Sequence, residues 1–286
     1  MDALICKSKH TIDLERTVLS HGWVQLPPFN WDAEQQELSR RERVGKQIGT
    51  IIVSQISRRQ LAITMPDRFG SRQRDALESR VRRSLMLDWN PAKAIDLAIN
   101  QNPLVAKYMK CGGGRFLRGS NFFEDFYKTV CTINTSWLNT IRMTRALANL
   151  NDDGCAASPH DISSLAPSKL QKLCGLGYRA EILHKITIKL LSLGIIDEDG
   201  NLLVDEVERE TMLGFKGIGP YGADHLRILQ ADFSRIPVDS EVSSYCRKEL
   251  DIIDADINES FESWGNFRFL GYKVGRILRH RNWIDD

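Results

Sequence analysis

A glycine-rich turn followed by a single carboxylate is the part of this sequence best suited to chemistry. The turn is Gly217-Ile218-Gly219, and the carboxylate is Asp239, which follows a strand-like Ile-Pro-Val segment. Glycine adopts the backbone angles of tight turns, and a turn that opens a helix presents consecutive N–H groups suited to a phosphate. Pro220 fits the first helical position, where its missing N–H costs nothing. A phosphate site with an acid downstream predicts chemistry on nucleic acid.

The same residues resemble the helix-hairpin-helix motif with its Gly/Pro-Asp segment, the signature of one DNA glycosylase superfamily. Residues 217–219 correspond to the hairpin, and Pro237-Val238-Asp239 corresponds to the Pro-Asp part. A lone GxG would be weak evidence, but hairpin, proline-initiated helix and Val-Asp at the family's spacing are specific together. The resemblance is densest from about residue 121 to residue 250. It points to glycosylases of the 3-methyladenine and 8-oxoguanine type.

Asp239 is the predicted catalytic residue. Hydrolysis of an N-glycosidic bond builds positive charge on the sugar, and a nearby carboxylate stabilises that charge and orients a water molecule. The resemblance gives the matching acid of the superfamily this role. The alternative is a cap for the helix expected to begin near Ser240, and one carboxylate can serve both purposes.

Tyr221 departs from the pattern of glycosylases that also cleave the DNA strand. Those relatives carry a lysine at this place, 239 − 221 = 18 residues before the acid, and its amine forms a Schiff base. A phenol cannot do so, which implies a monofunctional enzyme that uses water. Tyr221 itself is expected to stack on the target base or to pack on its helix. A lyase that uses another amine, such as Lys216, is the alternative.

The resemblance also implies DNA contacts and a cation at the hairpin. In this superfamily the hairpin carbonyls hold a monovalent cation that bridges to a DNA phosphate, which here implicates Gly217 and Gly219 and a sodium or potassium ion. The residues expected to bind DNA at the hairpin are Lys216, Gly217, Gly219, Tyr221 and Gly222.

Three further residues are candidates for contacts with DNA bases. In 8-oxoguanine glycosylases and relatives a helix ends in a turn whose asparagine enters the duplex where the flipped nucleotide stood, and Asn134 matches it. A plain helix-to-helix turn is the alternative reading of Asn134. Tyr272, near the C-terminus, and Glu241, two residues past the acid, are expected to line the base pocket. Core packing and a solvated helix face are their alternatives.

The composition limits the class of protein. The chain has 286 residues, 42% hydrophobic and 27% charged, with a net charge of +2, so a DNA-binding face must be local. Six cysteines without close pairs, and none after Cys246, predict neither zinc nor an iron–sulfur cluster. No cofactor is expected beyond the hairpin ion. Without an apolar signal region or an apolar run that spans a bilayer, we expect a monomeric cytoplasmic protein with no membrane contact, nucleoid-associated if bacterial.

Strand-like and helical patterns occupy different parts of the chain. Alternation typical of strands runs from about residue 10 to residue 65, and helical spacing begins near residue 73. Gly112-Gly113-Gly114 predicts a boundary. The expected fold class is α+β, with a small antiparallel β-containing N-terminal domain over residues 1–112. An all-α helix-hairpin-helix glycosylase domain follows over residues 113–286.

The sequence therefore predicts a monofunctional glycosylase acting on double-stranded DNA. It would flip a damaged or modified base and hydrolyse its bond to deoxyribose, leaving an abasic site. Flipping costs on the order of a few kcal/mol, least for a damaged base. The expected substrate is an alkylated or oxidised purine, as in base excision repair, or an unusual base such as a modified cytosine in phage DNA, as in phage defence. The alternatives are a noncatalytic DNA-binding protein and a bifunctional glycosylase/lyase.

Overall fold

The computed structural model describes residues 2–253 and 257–280, and its contacts form two compact units. Unit 1 comprises Met1–Asp88 and Arg115–Glu206, and unit 2 comprises Trp89–Gly114 and Val207–Asp286. The sequence predicted consecutive domains divided between residues 112 and 113. That division stays a prediction, because the compact units follow packing and each contains two separate stretches of chain.

Unit 1 contains a five-stranded antiparallel sheet in the order β1-β5-β4-β3-β2. The expected antiparallel sheet near the N-terminus, and with it the α+β class, is confirmed. Alternation explains its core: in β5, Leu61, Ile63 and Met65 are buried and their neighbours are half-buried. The strands are β1 (Asp2–Lys7), β2 (Phe29–Asp32), β3 (Glu37–Val44), β4 (Gln47–Ser57) and β5 (Gln60–Met65).

The helices of unit 1 cover this sheet and continue beyond it. Leu77 and Val81, one helical turn apart, bury one face of α2 in the core of the sheet. Helix α5 is buried along nearly its whole length, polar residues included. The helices are α1 (Leu14–Val18), α2 (Ser71–Ser84), α5 (Phe122–Thr132), α6 (Trp137–Ala148), α7 (Pro159–Ser163), α8 (Pro167–Cys174) and α9 (Arg179–Ser192).

Helix α5 carries a buried ionic cluster. Glu124, with no exposed side-chain surface, accepts hydrogen bonds from Lys128 Nζ at 2.6 Å and from Arg40 Nη2 of β3 at 2.9 Å. The backbone N–H of Ser120 donates to it at 2.8 Å. Burial opposes ionisation, but these two cations hold the pKa of Glu124 well below its usual range. The cluster joins the sheet to the helices of unit 1, and its charges depend on one another.

Unit 2 is helical over its described residues and has an aromatic core. Phe233 stands edge-on to Trp89 at 5.3 Å between ring centroids and stacks with Phe269 at 6.4 Å. The backbone N–H of Phe269 donates to the carbonyl of Phe233 at 3.0 Å. The helices are α3 (Ala92–Gln101), α4 (Pro103–Lys110), α10 (Arg209–Leu213), α11 (Pro220–Ile228), α12 (Ser240–Glu249), α13 (Ile257–Ser260) and α14 (Arg268–His280). Among the described residues, no helix is long and apolar enough to cross a membrane.

The ionic cluster generates a stability prediction. Glu124→Gln would leave buried Lys128 without a carboxylate and Arg40 with Glu42 alone, which costs about 3–5 kcal/mol of unfolding free energy. The matched control is Glu181→Gln, because Glu181 also bonds a lysine four residues on, Lys185, but both side chains are exposed. The control should cost about 0.5 kcal/mol or less. Denaturant unfolding of the two variants measures both values, and equal losses would contradict a buried, interdependent cluster.

Candidate active site

The glycine-rich hairpin lies between α10 and α11, as the sequence predicts. Gly217 has φ +102°, a left-handed conformation that favours glycine. Ile218 is buried, and its N–H donates to the carbonyl of Phe215 at 3.0 Å. One apolar side chain thus anchors the turn while Gly217, Gly219 and Lys216 are exposed.

The first turn of α11 has the features of an anion site. Gly219 is the N-cap, and no side chain caps the helix. A Cβ atom at Gly219 would meet nothing within 4 Å, so the fold itself does not demand glycine there. Because Gly219 has no side chain, a group outside the protein has room to approach the N–H groups of Tyr221 and Gly222. Gly222 is otherwise buried, so its part in DNA binding, and the cation at Gly217 and Gly219, stay predictions.

Asp239 is delivered by a short extended segment, where the sequence suggested a strand. Within residues 2–253 and 257–280 no strand pairs with it; instead the side-chain amide of Asn258 bonds the backbone of Ile236 twice. The N–H of Ile236 donates to Asn258 Oδ1 at 2.9 Å, and Asn258 Nδ2 donates to the carbonyl of Ile236 at 3.2 Å. Ile236 and Pro237 are buried. An amide therefore fixes the backbone that leads to the acid.

Asp239 is the N-cap of α12, and its Oδ1 accepts from the N–H of Val242 at 2.8 Å. Asp239 therefore does cap α12, and this hydrogen bond orients the half-buried carboxylate. Burial raises the pKa of Asp239, and the charge of Glu241 raises it further. The helix N–H groups and the charge of Lys273 oppose that shift without cancelling it. A carboxylate held in a poorly solvated place interacts strongly with a positive charge.

An aromatic and ionic cluster lies beside Asp239 in unit 2. Tyr272 is buried, and its ring meets those of Tyr245 and Phe261 edge-on, at 5.9 and 6.0 Å. Arg276 donates to Tyr272 Oη at 3.2 Å and to Glu241 Oε1 at 2.6 Å. Burial raises the pKa of Tyr272, and the negative charge of Asp239 contributes to that rise. The structure thus brings together Asp239, Tyr272 and Glu241.

Tyr221 connects to this cluster through His225 and Lys273. Its ring lies 5.7 Å from that of His225 on the same helix. Burial, followed by the charge of Lys273, lowers the pKa of His225 to about 4, so this imidazole is neutral at neutral pH. Lys273 lowers the pKa of Asp239 as well. The positive charge of Lys273 therefore acts on both the acid and the helix that carries Tyr221.

Asn134 belongs to unit 1, in the turn between α5 and α6. It is exposed and has φ +48°, a left-handed conformation that asparagine tolerates. Arg179 holds this turn: Nη2 donates to the carbonyl of Asn134 at 3.0 Å, and Nε donates to that of Ile133 at 3.1 Å. The same guanidinium lies 4.7 Å from the ring of Tyr178, which is 55% exposed. Sequence reasoning missed Tyr178, although an exposed aromatic residue beside a polar turn is a recognisable signal.

Comparisons with known proteins support the fold at low sequence identity. No family model matches the sequence, and no curated protein matches it. A 3-methyladenine DNA glycosylase from Archaeoglobus fulgidus matches with a TM-score of 0.71 and 17% identity, over 98% of this chain and 99% of that one. The chain has the fold of that glycosylase. An apo 8-oxoguanine glycosylase/lyase from Clostridium acetobutylicum matches with a TM-score of 0.67 and 15% identity, over 96% of each chain.

The Clostridium acetobutylicum enzyme in complex with double-stranded DNA containing cytosine opposite 8-oxoguanine gives a TM-score of 0.65 at 15% identity. That match covers 97% of this chain and 99% of that one. The shared fold spans both compact units. Among residues 2–253 and 257–280, no group of three or more His, Cys, Asp or Glu side chains is arranged to hold a metal ion.

The environment of Asp239 predicts a gain in stability when its charge is removed. Its pKa is raised in the folded state, so its contribution to stability falls as pH rises through that pKa. Asn caps helices about as well as Asp. Asp239→Asn should therefore have a higher Tm than the wild type near about pH 7, and the difference should shrink near about pH 4. Thermal unfolding at both pH values checks this, and a lower Tm for the variant near pH 7 would contradict the assigned environment.

Proposed function

We propose that this protein is a DNA glycosylase that hydrolyses the bond between a base and deoxyribose and leaves an abasic site. The observation that carries the proposal is the half-buried carboxylate of Asp239, fixed by α12 beside an aromatic cluster. The same unit carries a glycine hairpin whose helix lacks a capping side chain. A phosphate-binding end and a poorly solvated acid are the two parts that this reaction requires.

The chemistry follows from charge. As the N-glycosidic bond breaks, its electron pair leaves with the base, and positive charge develops on the sugar. Asp239 stabilises that charge more strongly than a solvated acid would, because its environment is poor in water. Water then forms the bond to C1′ and gives its proton to the carboxylate. Asp239 must be ionised for the first step, so its raised pKa places the acidic limb of the activity profile above the range of an ordinary aspartate.

Unit 1 supports the binding of double-stranded DNA by a flipping enzyme. The exposed Asn134 turn is held rigid by Arg179, and an exposed aromatic ring, Tyr178, lies against the same guanidinium. A short amide can hydrogen-bond an orphaned base, and an aromatic ring can stack on its neighbour. We assign these roles to Asn134 and Tyr178 in a protein that acts as a monomer. The solved Clostridium acetobutylicum complex with double-stranded DNA agrees with this partner.

The substrate is proposed at the level of base class. One of the solved structures with this fold is a 3-methyladenine glycosylase, and others are 8-oxoguanine glycosylase/lyases. The aromatic cluster around Tyr272 offers ring faces of the kind on which a flipped purine, alkylated or oxidised, stacks. A modified cytosine, removed as a defence against foreign DNA, is the further class to include in any test.

Release of a base tests the proposal directly. Duplexes that each carry 7-methylguanine, 8-oxoguanine or glucosylated 5-hydroxymethylcytosine are incubated with the protein, and abasic sites are detected. At least one duplex should lose its base. Asp239→Asn should lower that rate by about 100-fold or more, because it removes the charge that stabilises the developing cation.

The control is Asp13→Asn, which alters the carboxylate that caps α1 in unit 1 in the same way. It should leave the excision rate unchanged. Equal activity of wild type and Asp239→Asn would overturn the assignment of Asp239. Binding of every duplex without any base release would favour the noncatalytic alternative.

A bifunctional glycosylase/lyase is the second candidate, and one observation favours it. The positive charge of Lys273 lowers the pKa of Asp239, and Lys216 is exposed at the hairpin, so two amines are candidates although Tyr221 is not one. A Schiff base on the sugar can be trapped with borohydride as a covalent protein–DNA adduct. The monofunctional proposal predicts no adduct. An adduct that disappears in Lys273→Gln, or in Lys216→Gln, would replace it with the lyase.

A further inference from the structure

One buried carboxylate in unit 2, Asp224 of α11, has no part in the proposed chemistry. It is 4% exposed, which is costly for a charge without partners. Its Oδ1 accepts a hydrogen bond from Arg209 Nε at 2.5 Å, and Arg235 Nε lies 3.4 Å from the same oxygen. Two guanidinium groups thus converge on one buried atom.

The three partners come from three different segments of the hairpin region. Arg209 is the first residue of α10, the helix that leads into the glycine turn. Asp224 lies in the middle of α11, the helix that leaves it. Arg235 lies in the segment that runs to the acid, four residues before Asp239. The ion pairs therefore tie both hairpin helices to the backbone that delivers the carboxylate.

The stretch between Arg235 and Asp239 has little freedom to absorb a displacement. Asn258 holds Ile236 by two hydrogen bonds, and the ring of Pro237 restricts its own φ. At its far end, Asp239 is fixed as the N-cap of α12. A shift of Arg235 relative to α11 is therefore transmitted to the acid.

We propose that Asp224 is a positioning residue that couples the hold of the hairpin on the DNA backbone to the placement of Asp239. The inference rests on the proposed function, because it takes the hairpin as the phosphate site and Asp239 as the acid. When DNA fixes α10 and α11, the Arg235–Asp224 pair sets where the acid lies. A displacement of about 1 Å at a reacting group can cost about 100-fold in rate, so such a tie has a measurable effect on catalysis.

Arg235→Gln is the most informative variant. Arg235 is 45% exposed, so the change removes one tie without burying a new group. A cavity of about 160 Å³ borders Asp224, Arg209 and Arg235, and it gives water access to what remains. The matched control is Arg227→Gln, which breaks the ion pair of Arg227 with Asp232 at 2.9 Å beside the same cavity. Arg227 also donates to the carbonyl of Val207 at 3.2 Å, and neither of these partners belongs to the segment from Arg235 to Asp239.

The first measurement separates rate from binding. Single-turnover base release is followed with saturating protein on the duplex that the wild type processes fastest, and affinity is measured with a duplex carrying a tetrahydrofuran abasic analogue. Arg235→Gln should slow release about 10-fold or more and change the Kd less than about threefold. Arg227→Gln should change both by less than about threefold. Asp224→Asn combined with Arg235→Gln should be no slower than the slower single variant, because the pair acts as a unit.

The second measurement needs no base release. Hydrogen exchange is compared with and without the tetrahydrofuran duplex. In the wild type, DNA should slow exchange in residues 217–222 and 236–242. In Arg235→Gln, DNA should still slow exchange in residues 217–222 but should no longer slow it in residues 236–242. Protection of both segments in both proteins, or equal loss of rate in Arg235→Gln and Arg227→Gln, would overturn the coupling.

Different results would contradict the proposed glycosylase function and the proposed coupling through Asp224. A wild type that binds the tetrahydrofuran duplex but releases no base contradicts the proposed function, while hydrogen exchange still decides whether Arg235 couples the two segments. A wild type that does not bind the duplex overturns both. Normal release by Arg235→Gln overturns the coupling alone.

Discussion

The site depends on one constraint: a carboxylate must be kept partly out of water while its direction is fixed. Asp239 meets it by capping α12, where the N–H of Val242 orients the side chain and burial raises its pKa. Burial without a cap would favour the neutral, protonated form of the carboxyl group. A cap without burial would leave a carboxylate as well solvated as that of an ordinary aspartate. The neighbouring Lys273 limits the rise, so the group can be ionised and still interact strongly with a developing positive charge.

The other features of unit 2 serve the same constraint. Asn258 replaces a strand partner and holds the segment before the acid, and Arg276 links Glu241 to Tyr272 of the aromatic cluster. The tie through Asp224 joins this assembly to the hairpin. In unit 1, by contrast, the buried Glu124 cluster stabilises the joint between sheet and helices and contacts no candidate site residue named there.

Local pattern was enough to predict the parts of the site that depend on backbone geometry. Glycine and proline chemistry located the hairpin and the start of α11 at Pro220, and the cap at Asp239 followed from the residue types near Ser240. What pattern could not supply were contacts between residues far apart in sequence. Arg179 is 45 residues from the carbonyl of Asn134 that it holds, and Arg276 is 35 from Glu241. No periodicity specifies such partners, and packing also made the compact units discontinuous.

Removal of a base by hydrolysis is the defining activity of the proposed glycosylase. Mass spectrometry of a single-lesion duplex after reaction tests it most directly, because it identifies both products at once. Hydrolysis by a monofunctional enzyme yields free base and an intact abasic strand in equal amounts. A duplex that is bound but recovered unchanged, for every base tested, would contradict it.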